Sequence, residues 1–159
     1  MTSSLPRLRL PASALRVDGT RIWDPVRMDW VALTPEEWVR QHAVAYLLET
    51  AGAPAGLLAI EKAHETPAGL RRPDITVHDR SGAPWLIMEC KAPEVRIGQG
   101  VLNQVGRYAR ALRPDYIAVT NGLQLFVARW DGEAFRFESG FPRFPQEAEE
   151  SRDETGRGA

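Results

Sequence analysis

Apolar positions along the first third of the chain recur with two different periods. Alternating residues 15–17 and 21–23 flank Asp18-Gly19, a strong turn pair, and predict a small hairpin. The segment Thr34-Pro35-Glu36-Glu37 then reads as a helix start. Thr34 is placed to cap, Pro35 suits the first helical position, and Glu37 is placed to reach back as the acid of a capping box. Trp38, Val39, Ala43, Tyr46 and Leu47 follow at helical spacing, and Ala51-Gly52 marks the expected end.

Strand-like runs come next, at 56–62, 73–79 and 84–91, with a Pro67- and Gly69-containing loop after the first and a Ser81-Gly82 turn between the other two. Helical period returns over 97–112, where Val101, Val105, Tyr108, Ala109 and Leu112 lie along one side, and Pro114 stops it. Two further strands, 116–120 and 123–130, are separated by Asn121-Gly122, and Asp131-Gly132 turns into a short last strand at 134–138. A helix after the third strand crosses over to lay the 116–120 strand parallel beside it. The expected class is therefore α/β, a mixed central sheet flanked by helices. Residues 1–14 read as a flexible N-terminal arm, 15–145 as a single domain, and 146–159 as a disordered acidic tail.

Composition narrows the function classes. The chain has 159 residues, 43% hydrophobic and 26% charged, which suits one soluble globular domain. No apolar run reaches the length of a membrane helix and the first residues lack a signal-type apolar core, so a cytoplasmic location without membrane association is expected. A lone cysteine, Cys90, excludes an internal disulfide and a zinc cage. The formal charge of -1 divides unevenly: the 146–159 tail carries five acids and two arginines, leaving about +2 on the rest. That mild basic excess is compatible with nucleic acid but is a weak signature.

Candidate chemistry emerges from the hairpin register. With Ser81 and Gly82 as central turn residues, Arg80 faces Ala83, and stepping outward brings Asp74 opposite Glu89. Opposed Cβ atoms lie about 4.5–5.5 Å apart, where like charges repel, so a cation between them is expected. Alternation places Trp85, Ile87, Glu89 and Lys91 on one face, and Leu86, Met88 and Cys90 on the other. Two carboxylates, with the Cys90 backbone carbonyl as a further oxygen, suit Mg²⁺ or Mn²⁺. Such an ion lowers the pKa of bound water, and Lys91 is placed to orient that water or to stabilise developing charge on phosphorus. The competing reading is a chance acid, any residue, lysine pattern on a solvated face.

These residues carry a resemblance. Arg72-Pro73-Asp74, Glu89-Cys90-Lys91-Ala92-Pro93 and Gln104-Val105-Gly106-Arg107-Tyr108 resemble the PD-(D/E)XK nuclease superfamily, and more narrowly the N-terminal nuclease domain of the type I restriction enzyme R subunit and its small stand-alone relatives. Trp23-Asp24-Pro25-Val26-Arg27, the 35–41 segment and Thr120-Asn121-Gly122 are similar to the stand-alone group. The resemblance runs from about Trp23 to Trp130. It implies a restriction-endonuclease-like αβββαβ core, Mg²⁺ (or Mn²⁺), DNA as substrate, Asp74 and Glu89 as metal ligands, and Lys91 as the catalytic lysine.

The resemblance also assigns Gln104 and Tyr108, four apart on one helix face, to DNA contact or support of the carboxylates; from periodicity alone they read as a surface amide and a packing residue. Glu37 matches a first-helix glutamate near the metal, against its capping-box role, with Glu61 a rival for that place. Arg71 and Arg72 either touch phosphate or form an exposed pair. His42, His64 and His78 lack metal-like spacing. The leading expectation is a metal-dependent endonuclease; the alternative is a non-catalytic nuclease-fold module that binds DNA or a partner protein. A homodimer and a partner subunit both stay open.

Overall fold

The structure, a computed structural model, describes residues 5–11 and 15–146. Strands β1 (Val17–Asp18), β2 (Arg21–Asp24) and β3 (Asp29–Ala32) form a small antiparallel sheet. Its first hairpin follows the turn signal; β3 is an addition, held by Trp30 packing edge-on against Trp23 with ring centroids 5.6 Å apart. Helix α1 (Pro35–Glu49) begins where expected, with the Thr34 hydroxyl accepting from the Glu37 N–H at 3.0 Å. Only that half of the capping box forms, because the Glu37 carboxylate is held elsewhere by two arginines.

The strand expected at 56–62 is shorter. A 3₁₀ turn (Ala55–Leu57) precedes β4 (Leu58–Ile60), and Glu61, with φ of 50°, bends the chain out of the extended conformation. Where a loop is expected, β5 (His64–Thr66) and β6 (Gly69–Arg71) pair as a two-stranded hairpin. Then come β7 (Ile75–His78), β8 (Pro84–Cys90), α2 (Gln99–Leu112), β9 (Tyr116–Thr120), β10 (Leu125–Trp130) and β11 (Phe135–Phe137). The main sheet has the order β11-β10-β9-β8-β7-β4, in which β8 and β9 are parallel and the other pairs antiparallel. α2 supplies the crossover. The α1-β4-β7-β8-α2-β9 succession is the αβββαβ order that the resemblance implied.

The β7–β8 register is as expected in its inner part: Ile75 faces Met88, Thr76 faces Ile87 and Val77 faces Leu86. The turn is not. Asp79 N–H donates to the Ala83 carbonyl at 2.8 Å, so Arg80, Ser81 and Gly82 form a three-residue loop, braced by the Asp79 carboxylate accepting from the Ser81 N–H at 2.9 Å. His78 then pairs with Pro84, and a bulge restores the register one step further in. Trp85 is the surplus residue. Instead of sharing a face with Ile87 and Glu89, it joins the cluster of Leu86 and Met88 and packs on Tyr116 and Phe144.

The larger core lies between α1 and one face of the sheet. Val39, Ala43, Val44 and Leu47 meet Ile75, Val77, Leu86, Met88 and Cys90, all at most 1% exposed. Each large apolar side chain buried there is worth about 1.5–3 kcal/mol. Buried Val105 and Ala109 of α2 lie outside this cluster, and α2 contacts β8 and β9, so β8 is covered on both faces. Residues 5–11, read from sequence as part of a flexible arm, are packed: Leu8 and Leu10 are buried and the Arg9 N–H donates to the Gly122 carbonyl at 2.8 Å. Glycine is required at 122, where φ is 85° and a Cβ would lie 2.7 Å from a Leu8 methyl. The rest of the expected arm, 1–4 and 12–14, and the tail from 147 onward lie outside the described residues. Among the described residues no helix is long and apolar enough to cross a membrane.

Candidate active site

The site gathers where β7 begins and β8 ends. Asp74 stands one residue before β7, and its side chain takes over the ladder: Oδ2 accepts from the Cys90 N–H at 2.7 Å. Its main chain is fixed as well. The Asp74 carbonyl accepts from the Glu61 N–H at 3.0 Å, and the Asp74 N–H donates to Glu89 Oε1 at 3.3 Å. The positive φ of Glu61 is what turns its N–H toward Asp74. Asp74 and Glu89, expected to face each other, are therefore in direct contact, and both are buried.

Two buried carboxyls at this separation cannot both carry charge without an added cation. Burial pushes the Glu89 carboxyl well up, Asp74 beside it pushes further, and a hydrogen bond between the two side chains favours the protonated form. Lys91, immediately after β8, is half-buried, and its charge acts on both Glu89 and Glu36. Burial also raises the Cys90 thiol, whose main-chain N–H rather than its sulfur serves the site.

Arg40 is the cationic centre of the network. From the second turn of α1, Nη2 contacts Asp74 Oδ1 at 3.0 Å, Glu61 Oε1 at 3.3 Å and Glu36 Oε1 at 3.3 Å, while Nη1 pairs with Glu37 Oε2. Burial opposes the Arg40 charge, but Glu37 and Asp74 outweigh it and hold the guanidinium charged. Glu37 also receives Arg27 Nη2 and, at 3.0 Å, Gln41 Nε2. Arg27 is set by fully buried Asp24, whose carboxylate takes the Val26 and Arg27 N–H groups at 2.8 and 3.0 Å. The small N-terminal sheet thus delivers a second arginine to the same cluster. Glu36, raised by burial and then by Asp74, lines an open cleft of about 560 Å³ with Glu61, Glu94 and Arg40.

From the opposite side α2 contributes Tyr108 and Gln104, hydrogen-bonded to each other. Burial raises the Tyr108 hydroxyl and the charge of Glu89 raises it further, with Asp74 adding a smaller effect. Asp74, Glu89, Lys91, Gln104 and Tyr108 are thereby brought together. Glu37 neither completes the capping box nor meets Asp74 directly; Arg40 bridges the two. Arg72 is exposed, whereas Arg71 acts on Tyr108. His42 contacts the Trp38 carbonyl at 2.7 Å, His64 the Thr76 hydroxyl at 3.2 Å and His78 the Leu57 carbonyl at 3.3 Å, a structural part for each.

Sequence reasoning missed Arg40, Arg27 and Glu36. One signal was available: Arg40 stands three and four residues after Glu37 and Glu36 on a helix, the spacing of side-chain ion pairs. Among the described residues no three His, Cys, Asp or Glu side chains are arranged to hold a metal ion. A protonated glutamate against a carboxylate is a donor set short of positive charge. Two carboxylates with remaining positions left to water or phosphate oxygens suit a hard divalent ion.

The domain is thus of the mixed-sheet α/β class, with a carboxylate pair and a lysine at the ends of adjacent strands. Residues 35–142 match the family described as type I restriction enzyme R protein N terminus (HSDR_N), and the chain belongs to that family. A fragment structure described as that of an HsdR subunit of a type I restriction enzyme, from Vibrio vulnificus YJ016, is 19% identical, covering 63% of this chain and 22% of its own, with a TM-score of 0.45. The chain therefore spans about a fifth of that relative's length. No curated protein matches it.

Two outcomes follow from the electrostatics. Replacing Arg40 by leucine strands Glu37 and Asp74 without their shared cation, and should lower stability by about 3–5 kcal/mol in urea unfolding. The folded state keeps the Glu89 proton up to about pH 9, whereas the unfolded chain releases it near 4.5. This group therefore costs stability as pH rises between those values, since the folded state binds more protons there. Glu89→Gln should accordingly raise the melting temperature of metal-free protein at pH 8 and leave it nearly unchanged at pH 4.

Proposed function

We propose that this domain is a divalent-metal-dependent endonuclease hydrolysing DNA phosphodiester bonds, in restriction or DNA processing. The observation that carries the reading is the contact of buried Asp74 with the buried Glu89 carboxyl, with Lys91 immediately after the strand that holds Glu89. Asp74, Glu89 and the Cys90 carbonyl would hold Mg²⁺ or Mn²⁺. When bound, such an ion supplies an acidified water and neutralises charge developing on the phosphate.

The chain's own groups do the rest. The Cys90 N–H and Arg40 fix the Asp74 carboxylate from both sides, so its orientation needs no reorganisation as substrate arrives. Lys91, flexible and half-buried, is placed to orient the attacking water or to stabilise the phosphoryl oxygens as they gain charge. Tyr108, tied to Gln104, offers a hydroxyl next to Glu89 for a phosphate oxygen. As a member of the R-protein N-terminal family, the domain would act with a partner subunit that brings it to DNA.

A second reading, a non-catalytic module that binds DNA or a partner, is favoured by the engagement of both Asp74 oxygens by protein donors. Supercoiled plasmid with MgCl₂ separates the two. The protein should nick it, and Asp74→Ala or Lys91→Ala should slow nicking by about 100-fold or more. Calorimetric titration with MnCl₂ should show one site, lost in Asp74→Ala. Equal activity of wild type and variants, with no Asp74-dependent Mn²⁺ binding, would leave only the module.

A further inference from the structure

A second feature adjoins the carboxylates. Between the β5–β6 hairpin and α2 runs an open groove of about 800 Å³, lined by Arg71, Arg107, Arg110 and Arg113, with Asn103 and Thr66 at its walls. Among the described residues no acidic side chain lines it. Four like charges on one concavity repel one another, and no carboxylate in the lining offsets them.

The groove is also aimed. Asn103, Arg107 and Arg110 fall on one stripe of α2, and Gln104 and Tyr108 fall on the adjacent stripe, between the arginines and the buried Val105 and Ala109. Across the gap, Arg71 ends β6 three residues before Asp74, and its charge reaches the Tyr108 hydroxyl. The arginine surface therefore borders the carboxylate site. From Arg107 to Arg113 is about 9 Å of helix axis, matching the rise of about three nucleotides of duplex at 3.4 Å each.

We infer that this groove binds the sugar-phosphate backbone of DNA and leads it to the Asp74–Glu89 site, with Arg71, Arg107, Arg110 and Arg113 as phosphate contacts. The inference rests on DNA being the substrate and adds the path by which it lies on the protein. Contacts of this kind are independent of base sequence and release counterions, so they set affinity and salt dependence rather than specificity. Guanidinium forks suit phosphate oxygens geometrically as well as by charge.

The test is binding of a fluorescein-labelled 20-base-pair duplex to the full chain in EDTA, by anisotropy across a salt series, so that no cleavage interferes. Arg107→Ala with Arg110→Ala removes two exposed side chains from a helix that alanine favours, and circular dichroism confirms folding. The double variant should bind about tenfold more weakly at 0.1 M salt and lose about 2 units from the log–log salt slope. Arg21→Ala with Arg143→Ala, equal in charge change but outside the groove, should bind as wild type does. Unchanged affinity and slope in the groove variant, equal loss in the control, or a wild type that does not bind at low salt overturns the inference. Mn²⁺ titration of the groove variant should match wild type; a wild type without a Mn²⁺ site sinks the nuclease reading while leaving the groove result standing.

Discussion

A single guanidinium, that of Arg40, decides whether the rest of this domain can hold together as it does. It is almost wholly buried, and it is the one positive group in direct contact with Glu36, Glu37, Glu61 and Asp74 at once. Removing charges from water is costly, and the cost is offset only where each ion meets several well-placed partners. The arrangement is not saturated: Arg40 Nε and Gln41 Oε1, both buried, have no hydrogen-bond partner among the described residues. A polar cluster kept in the interior despite such losses is what a site of chemistry looks like, since apolar packing there would serve stability better.

The fold explains why the cluster sits where it does. Central strand β8 is buried on both faces, so any charge along most of its length would be unsupported. Carboxylates become tolerable at its end, where α1, the bend at Glu61 and the start of β7 all bring polar groups to one place. Asp74 substitutes its side chain for a strand carbonyl toward the Cys90 N–H, which ends the ladder and locks the carboxylate in one act. The strained φ at Glu61 belongs to the same economy, giving an N–H to the Asp74 carbonyl. Helix α1 carries the consequence in its composition, burying Glu37, Arg40 and Gln41 alongside Val39, Ala43 and Leu47.

Two surfaces of unlike charge thus meet at Tyr108. One side holds acids with too little positive charge among them; the other holds arginines with no acids in the lining among the described residues. That junction is the electrostatic ground for proposing a nucleic-acid backbone as the ligand. Membership in the R-protein N-terminal family is consistent with that electrostatic reading, which rests on the side chains alone.

Local pattern was enough to place α1, α2 and β9, because helical period, the Pro35 start and the Asn121-Gly122 turn are properties of neighbouring residues. The opposition of Asp74 and Glu89 was legible for the same reason, although the expected turn was one residue too short and a bulge at Trp85 made up the difference. Strand β3, the β5–β6 hairpin and the packing of residues 5–11 were not legible, since each is held by partners distant in sequence, such as Trp23 with Trp30 or Leu8 with Gly122. The arginines were hidden most completely. Among eighteen of them, the helical spacing of Arg40 from Glu36 and Glu37 hints at an ion pair but not at burial, and nothing marks Arg71 as a neighbour of Arg107 and Arg110 across the groove. Hydrophobic spacing is written along the chain, but the meeting of charges from different elements exists only once the sheet has closed, and that meeting was decided by the tertiary structure.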